Sequence, residues 1–171
     1  MVMWKTIGAI KEAISWVVEA LHIETLSDDY QDTSPENNSS LVLLLAIDGK
    51  RFLFTGDAGK DALGRAIDFA ESCKVSLNKI DFFDVPHHGS KRNLGPTILN
   101  RLMPQQAFIS CPPQGDPKHP SRKVVNALIR RNCYPGSTRK MLPICYPSID
   151  APQRVGWGPL TPETFFNQVE D

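Results

Sequence analysis

The sequence lacks long apolar runs and closely spaced cysteines. Its most apolar early stretch, residues 7–21, contains three charged side chains and is too short to span a bilayer. No signal peptide or anchor is visible, so no membrane partner is expected. The cysteines lie far apart, which argues against a disulfide scaffold or a zinc ribbon and favours a reducing, cytoplasmic setting: Cys73, Cys111, Cys133 and Cys145.

Net charge is also absent, because 19 basic side chains balance 19 acidic ones over 171 residues. The protein as a whole therefore has no electrostatic attraction to nucleic acid or membranes. The charge is nevertheless uneven, since residues 86–140 carry 10 basic and 1 acidic side chains while residues 1–85 carry 8 and 14. The basic segment can neutralise phosphates, which indicates nucleic acid or a nucleotide as a ligand. A solvated charged surface is the alternative explanation.

No linker interrupts the chain, and 41% of its residues are hydrophobic, so residues 1–171 are expected to form a single domain with its own core. Apolar periodicity predicts helices over residues 7–21, 60–72, 96–102 and 121–131. The same reasoning predicts strands over residues 41–47, 51–55, 80–85 and 107–110, and shorter ones over 22–26 and near Ile144. Strands interleaved with helices indicate an α/β or α+β layered domain.

Local features refine this prediction. Residues 41–47 form an unbroken apolar run, which is expected to be buried on both faces of a sheet. Asp48 and Gly49 suit the turn of a hairpin between the first two long strands. Ser121 is placed to cap the helix that follows it. Residues 27–40 are polar, acidic and rich in turn formers, so an exposed loop is predicted there.

Two predicted strands end in side chains that can bind metal. Asp57 follows the segment RFLFTG, and His87 and His88 follow DFFDVP. Strand ends hold functional groups rigidly while leaving them accessible. For Asp57 alone, a role in a turn or a helix cap is favoured. The two adjacent histidines are equally compatible with a metal site and with a surface role.

The sequence holds few further metal ligands. His22 is expected to be structural, at the end of a strand or helix, and His119 lies in a loop rich in Pro and Gly over residues 111–120. A catalytic zinc site needs about three protein ligands for each ion and an open position for water. One aspartate and one histidine pair are too few, so the residues by themselves leave the metal role open.

Five segments, taken in order, resemble the C-terminal half of a metallo-β-lactamase-fold hydrolase. They are NNSSLVLLL (37–45), FLFTGD (52–57), DVPHHGS (84–90), AFIS (107–110) and HP (119–120). The closest likeness is to the soluble domain of the DNA-uptake channel family ComEC and its free-standing relatives. The resemblance covers about residues 37–140, and the combination of TGD with HHGS at this separation is its specific part.

The resemblance implies an αββα sandwich, of which about half is present, with a site for two divalent metals at one edge. Zinc is the expected metal, with manganese as the alternative. Asp57 corresponds to the carboxylate that bridges the metals, and His88 corresponds to the last metal ligand. His87 is then either a second-shell or substrate contact or the ligand in place of His88. Substrate contacts are expected from Ser90, Lys91, His119, Arg122 and Lys123.

The chain departs from the family in one large respect. The main ligand motif of the family, H-x-H-x-D-H, has no counterpart here. Three explanations compete: a fragment of a longer enzyme, a subunit of a split enzyme, or a degenerate domain that only binds. A metal-dependent nuclease or phosphodiesterase is the leading hypothesis, and a non-catalytic binding or assembly module is the alternative. Hydrolysis of a lactam, thioester or lactone is less favoured.

The missing half of the fold leaves a sheet surface uncovered. Open sheet edges and apolar faces invite association. A companion chain or domain that supplies the N-terminal half is therefore expected, or else self-association of the chain.

Overall fold

The computed structural model describes residues 19, 23–113, 119–140, 144–145, 155, 158–159 and 161–170. The helix predicted over residues 7–21 lies outside the described residues apart from Glu19, and so does His22. Residues 23–26 are described and form no strand, so that short strand was wrongly predicted. None of the helices in the described ranges has the length and hydropathy needed to cross a bilayer.

The architecture is α/β, as predicted, with a five-stranded mixed sheet and, over residues 23–113 and 119–140, three α-helices. The sheet contains β1 (Leu43–Ile47), β2 (Lys50–Phe54), β3 (Phe82–Asp84), β4 (Gln106–Ile109) and β5 (Tyr134–Ser137). The helices are α1 (Lys60–Ser72), α2 (Pro96–Leu102) and α3 (Arg122–Arg130). A separate two-stranded parallel sheet pairs β6 (Ile144–Cys145) with β7 (Gly158–Pro159).

All three described helices, the strand near Ile144 and the four longer strands lie where the sequence predicts them. The hairpin turn at Asp48 and Gly49 is confirmed, and both residues have positive φ angles, of 50° and 72°. Strand β5 was not predicted, because its sequence YPGS has low strand propensity. It forms by parallel pairing with β4, and its proline fits a strand at the sheet edge.

The order of strands in the sheet is the same as their order in the chain, from β1 to β5. Strand β1 runs antiparallel to β2, whereas β2, β3, β4 and β5 are mutually parallel. The carboxyl ends of four strands therefore meet along one side of the sheet, which we call the carboxyl edge. Open α/β sheets place ligand sites at this edge.

One face of the sheet carries the core. Leu53, Phe83, Ala107 and Ile109 point to this face and are at most 1% exposed. They share one hydrophobic cluster with buried side chains of all three helices: Leu63, Ile67, Leu99, Val124, Val125 and Leu128. We call this side the covered face.

The opposite, open face is apolar but only partly buried. On β1, Leu43, Leu45 and Ile47 are 50%, 45% and 53% exposed. Their register places them on the same face as Phe52 and Phe54. The prediction that residues 41–47 are buried on both faces is therefore wrong, because β1 is an edge strand whose alternate side chains reach the open face. Aromatic rings extend this face across the sheet, with centroids 5.7 Å apart for Phe52–Phe82 and 6.1 Å apart for Phe82–Phe108.

The helices are capped by carboxylates from distant parts of the chain. Helices α1 and α2 follow Gly59 and Gly95, which have no side chain to accept a hydrogen bond. Asp32 accepts from the Lys60 N–H at 3.0 Å, and Asp28 accepts from the Thr97 N–H at 3.2 Å. A Cβ at position 95 would lie 1.9 Å from Asp28 Oδ1, so a residue larger than glycine would displace the capping carboxylate.

Two sequence predictions change as a result. The loop over residues 27–40 is not simply exposed, since it supplies both capping carboxylates and the 3₁₀ turn Asn37–Ser39. Ser121 precedes α3 but makes no side-chain cap to it. Its hydroxyl instead donates to the carboxylate of Glu170, which also accepts from the Arg122 N–H at 3.1 Å. Helix α3 is thus capped in the same remote way as α1 and α2.

Candidate functional site

The motifs singled out in the sequence converge at the carboxyl edge. Strand β2 runs into Thr55-Gly56-Asp57, and β3 runs into the loop Pro86–Gly89. The Thr55 hydroxyl donates to the Asp84 carbonyl at 2.6 Å, and the His87 N–H donates to the Gly56 carbonyl at 3.0 Å. These bonds fix the TGD turn against the HHGS loop. Asp57 lies in the turn itself, whereas the cap position of α1 belongs to Gly59.

The HHGS loop has an unusual backbone. His87, His88 and Gly89 have φ angles of 46°, 57° and 82°, so three consecutive residues are left-handed. For residues other than glycine this conformation costs roughly 1–2 kcal/mol each. A Cβ at Gly89 would lie 2.8 Å from Pro120 Cβ, and the Gly89 carbonyl accepts from the Ser121 N–H at 3.0 Å. The surrounding structure thus holds a strained loop against the His119-Pro120 segment, and strain of this kind clusters at functional sites.

Three imidazole rings lie together at this edge. The ring centroids are 5.9 Å apart for His87–His88, 6.0 Å for His87–His119 and 6.1 Å for His88–His119. The sequence separates His119 from the pair by thirty residues of chain, so the fold brings them together. His88 is exposed, whereas the other two rings are half-buried.

Hydrogen bonds distinguish His88 from His87. His88 Nδ1 lies 2.5 Å from the Ser110 carbonyl oxygen, so Nδ1 is the donor and the lone pair of the neutral ring is on Nε2. His87 Nδ1 lies 2.9 Å from the amide nitrogen of Asn37, which is a donor. The neutral His87 ring therefore carries its proton on Nε2. Of the two adjacent histidines, His88 is the one that presents a nitrogen able to bind a metal.

Two polar side-chain atoms at this edge are buried without a hydrogen-bond partner: Nδ1 of the His119 ring and Oδ1 of Asn93. Burial lowers the pKa of His119, and the neighbouring rings of His87 and His88 lower it further. Asn93 Nδ2 donates to the Asp57 carbonyl at 2.8 Å, which ties it to the TGD turn. Burial raises the pKa of Asp84, and the charge of nearby His88 partly offsets this rise.

A cleft of about 1190 Å³ opens beside the histidines. Five of the predicted site residues line it, namely His87, Ser90, Lys91, His119 and Arg122. Asp57, His88 and Lys123 are not among its lining residues. Basic side chains that also line the cleft are Arg92 and Arg139. The basic side chains of the cleft thus come from three separate parts of the chain, residues 91–92, Arg122 and Arg139.

The predicted basic contacts differ in what they touch. Lys123 is 5% exposed, and its ammonium donates to the Tyr30 hydroxyl at 2.8 Å. The Lys91 ammonium lies 5.1 Å from the centre of the same Tyr30 ring. Arg122 donates from its guanidinium to the Gln168 carbonyl at 3.0 Å while lining the cleft. Lys123 therefore supports the wall through Tyr30, whereas Lys91 and Arg122 face the cleft.

No motif or periodicity in residues 161–170 indicates that this C-terminal segment lies at the site. Glu163 accepts hydrogen bonds from the Ser137 hydroxyl and from the Arg139 guanidinium, the latter at 2.8 Å. Gln168, Val169 and Glu170 line the cleft. Contacts across so many residues leave no local pattern, and the acidic composition of the tail was the single available signal.

The described donors do not complete a metal site. Within residues 19, 23–113, 119–140 and the shorter described pieces, no three or more His, Cys, Asp or Glu side chains are grouped so that they could hold a metal ion. Among the described histidines, His88 combines an Nδ1 that is fixed by a carbonyl with an Nε2 that can bind a metal. Any metal would need ligands beyond this one.

No protein-family model matches the chain. The chain is 31% identical over 115 residues to ComE operon protein 3 of Bacillus subtilis and 36% identical over 116 residues to Recombination protein 2 of Haemophilus influenzae. Each alignment covers 67% of this chain and 14% of the relative, so the chain spans a small part of these relatives. The sandwich of the metallo-β-lactamase fold stays a prediction. Over two thirds of its length, the chain is similar to a segment of ComE-like proteins, as the motifs indicated.

Proposed function

We propose that this chain supplies part of a metal-dependent hydrolase that cleaves phosphodiesters, as a nuclease or phosphodiesterase. The observation that carries the proposal is the state of His88, whose Nδ1 is fixed by the Ser110 carbonyl while the lone pair of the neutral ring is on Nε2. Metal-ligating histidines characteristically donate their second nitrogen to such a carbonyl, which sets the ring orientation. His88 also lies where ligand sites of parallel sheets are found.

Asp57 is the second proposed ligand. Its backbone is held from two sides, by the Ser40 hydroxyl at 3.2 Å and by the Asn93 amide at 2.8 Å. A carboxylate in a fixed turn can bridge two ions, and two divalent metals, zinc or manganese, would lower the pKa of a bound water and offset charge in the transition state. The remaining ligands would come from a companion chain or domain.

The cleft supports an anionic substrate. Lys91, Arg92 and Arg122 line it, and so does Ser90. Guanidinium and ammonium groups bind phosphate oxygens strongly, because both the charge and the hydrogen bonds are complementary. A phosphodiester of nucleic acid or a nucleotide is therefore the proposed substrate class.

The exposed apolar side chains of the open face support the proposal of a companion chain or domain. Leu43, Leu45 and Ile47 form an exposed apolar strip at the sheet edge, beside the rings of Phe52 and Phe54. Large exposed apolar patches mark interaction surfaces. The much greater length of the relatives leaves ample sequence in those proteins for such a companion domain. Self-association through the same face is the second possibility.

A second candidate function is a non-catalytic module that binds nucleic acid or assembles with a partner. The specific observation that favours it is the cleft itself, which is basic without a complete set of metal donors among the described residues. Binding through Lys91 and Arg92 needs no metal, since phosphate contacts depend on charge.

The test is metal content per chain, measured by plasma mass spectrometry on protein purified without chelator together with whatever co-purifies. Zinc or manganese near stoichiometry should be lost in His88→Ala and in Asp57→Ala. His87→Ala is the matched control, because its Nε2 carries a proton and the metal should stay bound. Hydrolysis of a labelled oligonucleotide should follow the same pattern.

Full metal content and activity in both Asp57→Ala and His88→Ala would refute the hydrolase. Absence of metal, together with oligonucleotide binding that disappears in Lys91→Glu, would favour the binding module.

A further inference from the structure

The C-terminal segment is fastened along its length. Pro162 bridges to Gly136 on β5, and the Glu163 N–H donates to the Pro135 carbonyl at 2.7 Å. Further on, Asn126 of α3 makes two hydrogen bonds to the backbone of Phe166, each of 2.8 Å. Gln168, Val169 and Glu170 then line the cleft. The segment thus connects the sheet edge to the part of the cleft that carries the basic side chains, which we call the basic wall: Lys91, Arg92, Arg122 and Arg139.

Both carboxylates of the described segment engage groups of that wall. Glu163 pairs with Arg139, and Glu170 binds the Ser121 hydroxyl and the Arg122 N–H. The Phe166 ring lies close to both guanidinium groups, 5.2 Å from that of Arg122 and 6.0 Å from that of Arg139. Of the four described basic side chains that line the cleft, this segment engages two, Arg122 and Arg139.

The groups around Glu170 are those that bind phosphate. A hydroxyl and a backbone N–H at the start of a helix favour an anion, through hydrogen bonds and through the helix dipole. Residues 161–171 carry three acidic and no basic side chains. An anionic segment therefore occupies the position and uses the contacts that an anionic ligand of the cleft would need.

Asp28 shows what a capping carboxylate does elsewhere in the molecule. It accepts from the N–H and the hydroxyl of Thr97 at 3.2 and 2.6 Å, much as Glu170 accepts from a helix-start N–H and a hydroxyl. Asp28 is not among the cleft-lining residues, whereas Glu170 is. The two carboxylates cap their helices in the same way, but Glu170 lines the cleft, where it can compete with an anionic ligand, and Asp28 does not.

We infer that the C-terminal segment is a built-in competitor of the phosphate-bearing ligand, and that its displacement opens the anion-binding wall of the cleft. This autoinhibitory contact rests on the proposed anionic substrate class. It does not depend on whether a metal or a companion completes a catalytic site.

The test compares Glu170→Gln with the unchanged chain for binding of inorganic pyrophosphate, by calorimetry at low salt and without added metal. Glutamine removes the charge but keeps one acceptor oxygen for the Arg122 N–H, and its amide NH2 can donate to the Ser121 hydroxyl oxygen, so the fold should be retained. Pyrophosphate should bind at least about fivefold more tightly to the variant. Asp28→Asn is the matched control and should bind as the unchanged chain does.

Glu163→Gln provides a second variant, because it releases Arg139 in the same wall and should change affinity in the same direction. Equal pyrophosphate binding by the unchanged chain and both glutamine variants would overturn the inference, and so would the absence of binding to all three. Failure of the proposed hydrolase function would be seen instead as unchanged metal content and unchanged oligonucleotide cleavage in Asp57→Ala and His88→Ala. The two failures are therefore distinguishable.

Discussion

The covered and open faces of the sheet are both apolar, yet they differ in what contacts them. Phe83 on the covered face is 0% exposed and belongs to the core, whereas its chain neighbour Phe82 lies on the open face and contacts other rings. Hydrophobicity along a strand therefore does not reveal which face the rest of the domain covers. The exposure of each side chain in the folded structure separates core positions from positions available to a partner.

The largest expected effect contrasts these two neighbours. Phe83→Ala should lower the free energy of unfolding by about 3–5 kcal/mol, because it leaves a cavity in a packed core. Phe82→Ala should cost only about 1 kcal/mol, because a partly exposed ring loses less buried area. Urea denaturation followed by circular dichroism measures both. Equal losses would mean that the open face is packed as tightly as the covered one.

The second effect concerns the helices that cover the core. Asp32→Ala should cost about 1 kcal/mol at pH 7, because the N–H groups at the start of α1 lose their acceptor. Burial raises the pKa of Asp32, but hydrogen bonds from Asn38 and from backbone N–H groups outweigh it, so the pKa is lowered. A lowered pKa in the folded state stabilises the protein above the ordinary aspartate pKa, and this is lost as the pH falls through the folded value.

The deficit of Asp32→Ala should therefore shrink as the pH is reduced below about 4. Denaturation of the variant and of the unchanged chain across this range measures it. A deficit that stays constant in acid would show that the charge of Asp32 contributes nothing.

A third effect probes the open face directly. Leu45→Lys should change the free energy of unfolding by no more than about 0.5 kcal/mol, because Leu45 is already 45% exposed. Binding of the dye ANS, which reports exposed apolar surface, should fall by about half. Unchanged dye fluorescence in a folded variant would indicate that the apolar strip is not accessible.

The smallest effect is expected at the edge of the open face. Lys50→Ala removes a salt bridge to Asp81 of 3.2 Å, in which the lysine side chain is 65% exposed. Surface pairs of this kind contribute about 0–1 kcal/mol, so a change below about 0.5 kcal/mol is expected in thermal unfolding. A larger loss would mean that Lys50 contributes packing as well as charge.

The sequence predicted most elements, because their signals are local. Helix α1 has apolar residues at helical spacing, and the hairpin has turn residues between two apolar runs. Strand β5 has no such signal, since Pro135 and Gly136 oppose strand formation and pairing with β4 imposes it. Coverage of β1 was wrongly predicted for a related reason, because an apolar run does not reveal whether a strand is at the edge.

The part of the candidate site that lies at strand ends could be predicted from the sequence. Asp57, His87 and His88 could be chosen because parallel strands bring their carboxyl ends to one edge. The tautomers of the histidines depend on Asn37 and Ser110, and the cleft wall depends on Glu170, all far from the motifs in sequence. Such contacts form only when the chain is folded, so neither periodicity nor motif spacing in the sequence predicts them.

The five strands lie in the sheet in the same order as in the chain, which affects how the fold can assemble. Each strand of the sheet pairs with the strand that precedes it, so a chain emerging from its N-terminal end can extend the sheet one strand at a time. Within the described five-stranded sheet, no strand is inserted between two earlier ones. The C-terminal segment bridges to β5 and binds α3, so its contacts require both elements to be formed.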